Sequence, residues 1–273
     1  MSRFRSSDEM SAPNQGHMSL TEHLAELRMR IVRAGLAVLL GSIVVMAFYD
    51  TVLGWMLRPY KRLCIRRKAE DFCGTSLDRK TGEVKLFNLD PIEGLSTRLK
   101  IAFYGGMILA LPVVLWQVWK FVVPALHKNE RKHAIGFVSS SVVLFCTGGF
   151  IAYTTLERAL EFLIAWSGED VDQAFQVQPY VRLVTLMVVA FGVGFIIPVL
   201  LVFLQLIGIV QPKTLLRGWR YAIVGTFLVS AAITPSGDPI SLLALSVPLI
   251  VLYFVAIGIG RLAQRKRLRA EAA

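Results

Sequence analysis

Six apolar stretches alternate with polar and charged segments along the chain. They cover 31–55, 97–123, 133–156, 180–209, 221–233 and 239–259. An α-helix needs about 20 apolar residues to cross the hydrocarbon core of a bilayer, and all but one of the stretches are long enough. The stretch 221–233 reaches only about 20 Å at 1.5 Å per residue. It crosses only if flanking Trp219 and Arg220 snorkel or the bilayer thins.

The pattern predicts an all-α integral membrane protein with six transmembrane helices. Pro112, Pro198 and Pro248 lie inside the apolar stretches. They are expected to kink their helices and to give the bundle a concave face. The predicted parts of the chain are a flexible tail over 1–18, a six-span domain over 19–261 and a basic tail over 262–273.

Composition supports the membrane class. Hydrophobic residues make up 55% of the 273 residues, charged residues 18%, and the mean hydropathy is +0.57. Soluble domains are about 45–50% apolar, and three cysteines are too few for a disulfide scaffold. The first thirty residues are polar, and no small-residue cleavage site follows the first apolar stretch. We therefore expect that stretch to remain as a signal anchor.

The net charge of +11 fits basic flanks on the cytoplasmic side and contact with membrane lipid better than nucleic-acid binding. Six spans place both termini on one side, and the positive-inside rule predicts that this side is the cytoplasm. The long loop over about 56–96 is also basic, but long loops follow the rule poorly. The basic residues on the predicted cytoplasmic side are Arg3, Arg5, Arg28, Arg30, Arg33, Lys120, Lys128, Arg131, Lys132, Lys213, Arg217, Arg220, Arg261, Arg265, Lys266, Arg267 and Arg269.

The long loop carries Cys64 and Cys73. In an oxidising compartment these two form a possible disulfide, which their separation allows but does not demand. Cys146 lies inside an apolar stretch and is typical of a packing residue.

Two turns carry signals for the start of a helix. Asp90 precedes Pro91, with Glu93 where a capping-box acid stands, and Asp238 precedes Pro239. Asp is a favoured N-cap and proline suits the first helical position. We therefore predict that helices begin at both prolines.

The sequence carries no P-loop, dinucleotide fingerprint, metal-spaced His/Cys cluster or nucleophile elbow, so neither an enzyme nor a cofactor is expected. Ionisable residues are also missing from the middle of the spans. Ion-coupled transporters carry such residues, and this weakens the competing interpretation, a secondary transporter of a small solute.

Two segments, 20–31 and 111–132, carry residues that are candidates for binding a partner or ligand. Over 20–31, leucine and isoleucine repeat at helical spacing, with Glu26 and Arg30 on another face. Glu26 either pairs with Arg30 at i,i+4 or is displayed for a partner. Over 111–132, the aromatic residues Trp116, Trp119 and Phe121 form either an interfacial belt or part of a binding surface. Asn129 and Glu130 either cap the next helix or bind a ligand.

These segments resemble the TatC family, the multispan receptor component of the twin-arginine, or Sec-independent, protein translocase. The pattern His-Leu-x-Glu-Leu-Arg-x-Arg stands at 23–30, and Gln-x-Trp-x-Phe-x-x-Pro-x-Leu stands at 117–126. The resemblance covers about 17–261. Further matches are Pro59, Pro112, Glu130, Arg131, Thr234, Pro235 and Asp238.

The resemblance implies a function in protein export. A TatC-type receptor binds the twin-arginine signal peptides of folded cargo at its cytoplasmic face. It assembles with TatA-type and TatB-type single-span subunits in an oligomeric complex of the bacterial inner membrane, and the proton motive force drives export. A purely structural scaffold is a further alternative, and it would tolerate loss of Glu26 and Glu130.

The resemblance also implies the site residues. A guanidinium presents a planar fork of donors that a carboxylate accepts through both oxygens, so Glu26 and Glu130 are the expected carboxylates. Leu27 and Phe121 would supply apolar contact, and Gln117 a neutral hydrogen bond. The residues expected to shape the site are His23, Arg28, Pro124, Pro59 and Asp238.

The chain departs from the family pattern at three polar positions. Many members carry a glutamate before the proline of span four, a glutamine after the Thr-Pro turn and a glutamate in span six. Here Ile196, Leu242 and Phe254 stand at these places. Roles assigned to those polar groups therefore do not transfer to this chain.

Overall fold

The computed structural model describes residues 20–66, 90–122, 134–166, 176–234 and 237–271. The elements in these ranges are eight α-helices. They are α1 (Leu20–Ala47), α2 (Tyr49–Arg66), α3 (Pro91–Val122), α4 (Ala134–Trp166), α5 (Val177–Leu206), α6 (Pro212–Arg217), α7 (Trp219–Ile233) and α8 (Pro239–Glu271).

Five of these helices, α1, α3, α4, α5 and α8, are long and apolar enough to cross a membrane. The apolar helix α7 has only 15 residues, as the short stretch 221–233 predicted. The all-α membrane fold, with five long spans and a shorter sixth, is therefore confirmed.

The first helix differs from its prediction. We predicted one span over 31–55, but α1 ends at Ala47 and α2 begins at Tyr49. Backbone hydrogen bonds from Phe48 to Val44 and from Val52 to Phe48 continue the helical pattern across the junction. Helix α2 then extends through the first part of the predicted loop.

One face of α2 packs against the bundle, which explains its extension. Pro59, Tyr60, Leu63 and Cys64 are buried, whereas the charged residues between them are exposed. Successive helical turns therefore place the apolar positions on one side. In the sequence, the basic residues Arg58, Lys61, Arg62 and Arg66 alternate with these apolar positions. The segment therefore resembled a polar loop rather than an amphipathic helix.

Pro59 leaves one backbone carbonyl of α2 without its helical hydrogen bond. It has no N–H, so the Trp55 carbonyl lacks its helical donor four residues on. The Tyr153 hydroxyl of α4 donates to that carbonyl at 2.8 Å, and the Tyr180 hydroxyl of α5 donates to the neighbouring Met56 carbonyl at 2.6 Å. Two tyrosines thus fix α2 to the bundle.

The two capped helix starts are confirmed. The Asp90 carboxylate accepts from the Ile92 N–H at 2.9 Å, and Asp238 accepts from the Ser241 N–H at 2.6 Å. The Glu93 carboxylate, expected to complete a capping box, accepts from the Gln178 N–H at 3.1 Å. It therefore links the beginnings of α3 and α5.

Helix α5 lies at the centre, against α3, α4 and α8, and α1 packs along α3. The α1–α3 contact brings the two backbones together. A Cβ on Gly106 would lie 2.4 Å from the Ser42 backbone nitrogen, and a Cβ on Gly41 would lie 2.7 Å from the Gly106 carbonyl oxygen. Small residues permit such close approach between membrane helices. This crossing sets the position of the first motif relative to the second.

Candidate functional site

The first motif forms an ion pair near the beginning of α1. The Arg30 guanidinium contacts Glu26 Oε1 through Nη2, and the side chains are 13% and 26% exposed, respectively. The i,i+4 pairing considered from the sequence is therefore present. Partial burial makes it more than a solvated surface contact, because water screens it less.

The same guanidinium joins the two motifs. Arg30 Nη1 donates to the backbone carbonyl of Gln117, near the end of α3, at 3.5 Å. Helices α1 and α3 run antiparallel, so the beginning of one meets the end of the other. The structure thus brings together Glu26, Arg30 and Gln117, which we call the Glu26 cluster.

Three side-chain atoms in this cluster are buried without a hydrogen-bond partner among the described residues. They are Glu26 Oε2, Gln117 Oε1 and Arg30 Nε. An unpaired buried polar group costs about 1–3 kcal/mol, so this arrangement is unfavourable unless a further group completes it. Two of the three atoms are acceptors. The cluster is therefore suited to a ligand that presents several N–H donors.

Three aromatic rings pack together in an aromatic cluster next to the Glu26 cluster, where the end of α3 meets α4 and α5. Trp119 stacks on Phe137 of α4 at 4.7 Å between ring centroids and meets Phe203 of α5 edge-on at 4.6 Å. Trp119 is only 2% exposed, so it does not belong to an interfacial belt, one of the two interpretations of the aromatic residues. It fixes the end of α3 against α4 and α5.

Most of the other predicted site residues either lie on α1 or α3 or fall outside the described residues. Leu27 is half-buried and Arg28 is exposed on α1. His23 lies on α1 and Phe121 lies on α3. Glu130 and Pro124 lie outside the described residues. Their roles in binding stay predictions.

Two residues expected to shape the site lie at the other end of the bundle. Asp238 begins α8, and the Gln205 side chain next to the aromatic cluster reaches α8 at Ala256, about 27 Å further along the helix. Pro59 lies near the Tyr180 contact at the start of α5. Neither residue belongs to the Glu26 cluster, so any influence they have on it acts through the packing of the bundle.

The cysteines also lie away from the cluster. Cys64 is buried in α2 and disulfide-bonded, and Cys146 is free and exposed. Cys73 lies outside the described residues. Its pairing with Cys64 stays a prediction.

Sequence reasoning missed a polar contact in the apolar part of the bundle. Gln205 Nε2 donates to the carbonyls of Leu201 at 3.1 Å and Ala256 at 3.2 Å. A Cβ on Gly260 would lie 1.9 Å from Gln205 Oε1. The available signal was a glutamine at the end of one apolar stretch and a glycine at the end of another.

Comparison with known proteins identifies the family. The family model described as Sec-independent protein translocase protein (TatC) matches residues 22–248. The TatC of Frankia casuarinae is 36% identical over 253 residues, which cover 92% of this chain and 68% of that protein. The TatC of Xylanimonas cellulosilytica is 33% identical, over 94% of this chain and 88% of that protein.

A solved structure agrees in fold. A crystal structure of the twin-arginine translocase receptor TatC superposes with a TM-score of 0.68 at 32% identity. The superposition covers 89% of this chain and 100% of that one. The chain therefore belongs to the TatC family, whose members are non-enzymatic membrane components of the Sec-independent protein translocase.

Proposed function

We propose that this chain is the receptor subunit of the twin-arginine translocation system and that it binds the twin-arginine signal peptides of folded proteins. The binding site lies where the beginning of α1 meets the end of α3. The pair of buried, unpartnered acceptors, Glu26 Oε2 and Gln117 Oε1, supports this proposal most strongly. The matched crystal structure of a twin-arginine translocase receptor agrees with it.

The ligand must be a guanidinium rather than an ammonium. A guanidinium holds its donors in a plane and can engage both oxygens of a carboxylate, whereas an ammonium acts as a point charge. A charge-assisted hydrogen bond contributes about 1.5–3 kcal/mol. Two such contacts, one at Glu26 and one at Glu130, would together contribute about 10²–10⁴ in affinity. That contribution is large enough to discriminate an Arg-Arg peptide from a Lys-Lys peptide.

The charge distribution supports a cytoplasmic location for this site. Arg28 and Arg33 are exposed near the Glu26 end of α1, and Arg261 and Arg265 are exposed in the last part of α8. By the positive-inside rule, this end of the bundle faces the cytoplasm. Both termini then lie in the cytoplasm, in the inner membrane of a bacterium.

Partners complete the translocase. The short helix α7 exposes the apolar residues Tyr221, Val224 and Leu228, and a span too short for the bilayer favours association with other helices. Single-span TatA-type and TatB-type subunits are the proposed partners, in an oligomeric complex. The sequence has no P-loop, so the proton motive force supplies the energy through that complex.

Peptide binding to the purified protein in lipid nanodiscs tests this proposal. The ligand is a labelled signal peptide with either an Arg-Arg or a Lys-Lys pair, identical elsewhere. We expect the Arg-Arg peptide to bind at least tenfold more tightly. Equal affinity of the two peptides, or no binding of either, would reject the receptor function and return attention to transport of small solutes.

A further inference from the structure

We propose that Arg30 is an internal competitor of the signal peptide: its guanidinium occupies Glu26 in the unliganded receptor and must leave when a peptide arginine binds. This inference rests on the proposed function. It identifies Arg30 as a residue that sets the affinity for every twin-arginine ligand, rather than as one that merely shapes the site.

The contact between Arg30 and Glu26 leaves bonding capacity unused on both sides. Only Nη2 contacts the carboxylate, through Oε1, while Nε and Oε2 have no partner among the described residues. The second contact of Arg30, the hydrogen bond to the Gln117 carbonyl, is 3.5 Å long, which is longer than most hydrogen bonds and therefore weak. A guanidinium on a separate chain can instead approach both oxygens of Glu26 in the plane of the carboxylate.

Burial explains why Arg30 stays in place until a ligand arrives. Glu26 is 26% exposed and its Oε2 is shielded from solvent. A partly buried carboxylate without a counter-ion is unfavourable, because the charge has lost much of its hydration. Arg30 therefore neutralises the empty site, and a peptide arginine replaces one guanidinium with another.

Competition of this kind has a definite signature. If the site is free of Arg30 for only a fraction of the time, the apparent affinity of any ligand falls by that fraction. The cost is common to Arg-Arg and Lys-Lys peptides. Removal of Arg30 should therefore tighten both peptides by the same factor and leave their ratio unchanged.

The test replaces Arg30 by glutamine and measures both peptides in nanodiscs. The matched control is Arg33→Gln, which removes the same charge from an exposed side chain about one turn further along α1. We expect Arg30→Gln to lower the Kd of each peptide about three- to tenfold. Arg33→Gln should change it by less than about twofold.

Weaker or unchanged binding in Arg30→Gln would overturn the inference, because Arg30 would then position Glu26 or play no part. Equal tightening in both variants would also overturn it, since general charge repulsion would explain the result. If Arg30→Gln does not fold, Arg30→Lys decides: it keeps the charge but loses the fork, and it should still tighten binding. Failure of the wild type to prefer Arg-Arg would instead reject the proposed function.

Discussion

Replacement of Glu26 by glutamine is expected to lower the affinity for an Arg-Arg signal peptide about 10- to 100-fold, which corresponds to about 1.4–2.7 kcal/mol. The amide keeps the shape of the side chain but removes the charge, and it places an N–H₂ group where the guanidinium needs an acceptor. The preference for Arg-Arg over Lys-Lys should shrink in parallel. Titration of both peptides against the variant in nanodiscs measures this.

Glu157→Gln is the matched control for that experiment. Glu157 on α4 is also partly buried, at 18% exposure, and it pairs with Arg66 at 2.6 Å. Phe137, near the beginning of α4, meets Trp119. Glu157 lies about 30 Å further along α4, towards the end of the bundle opposite the Glu26 cluster. Its replacement should leave peptide affinity unchanged. Equal losses in the two variants would show that Glu26 acts through general stability rather than as a binding carboxylate.

The second large effect is expected from Gly106→Ala. The added Cβ would lie 2.3 Å from Ser42 Oγ and 2.4 Å from the Ser42 backbone nitrogen, so helix α1 must move away from α3. Overpacking of this kind costs about 1–3 kcal/mol. Because the same crossing positions Glu26 relative to Gln117, the two groups proposed to bind the peptide, peptide affinity should fall as well. Thermal unfolding in detergent and peptide titration measure the two effects.

Gly258→Ala on α8 is the control for the crossing. Nothing lies within 4 Å of a Cβ at that position, and alanine reduces the conformational freedom of the unfolded chain. Such a substitution is expected to be neutral or to stabilise by about 0.4–1 kcal/mol. A Gly106→Ala variant as stable as Gly258→Ala would contradict the close crossing of α1 and α3.

Local signals in the sequence were sufficient where neighbouring residues decide the structure. Asp90 and Asp238 cap the helices that follow them because an aspartate and the next turn are all that a cap requires. The Glu26–Arg30 pair was one of the two alternatives that the sequence offered for the same reason, since i,i+4 side chains share a helix face.

Features that depend on distant contacts were not predictable in the same way. Apolar residues predominate over 31–55 on both sides of Phe48, with Arg33 and Asp50 as the charged exceptions. The junction at Phe48 accompanies the docking of α2 onto Tyr153 and Tyr180. Likewise, the meeting of Arg30 and Gln117 follows from the glycine crossing of α1 and α3. Trp119 resembles a belt residue in sequence, but Phe137 of α4 and Phe203 of α5 pack against it.

Site-specific photocrosslinking locates the bound peptide and shows whether it lies where the beginning of α1 meets the end of α3. A photoreactive residue replaces Val118, which is 54% exposed beside Gln117, or Leu95, which is 62% exposed at the other end of α3. We expect strong crosslinking of the Arg-Arg peptide at Val118, weak crosslinking of the Lys-Lys peptide there, and none at Leu95. Equal yields at the two positions, or equal yields from the two peptides at Val118, would contradict the proposed site.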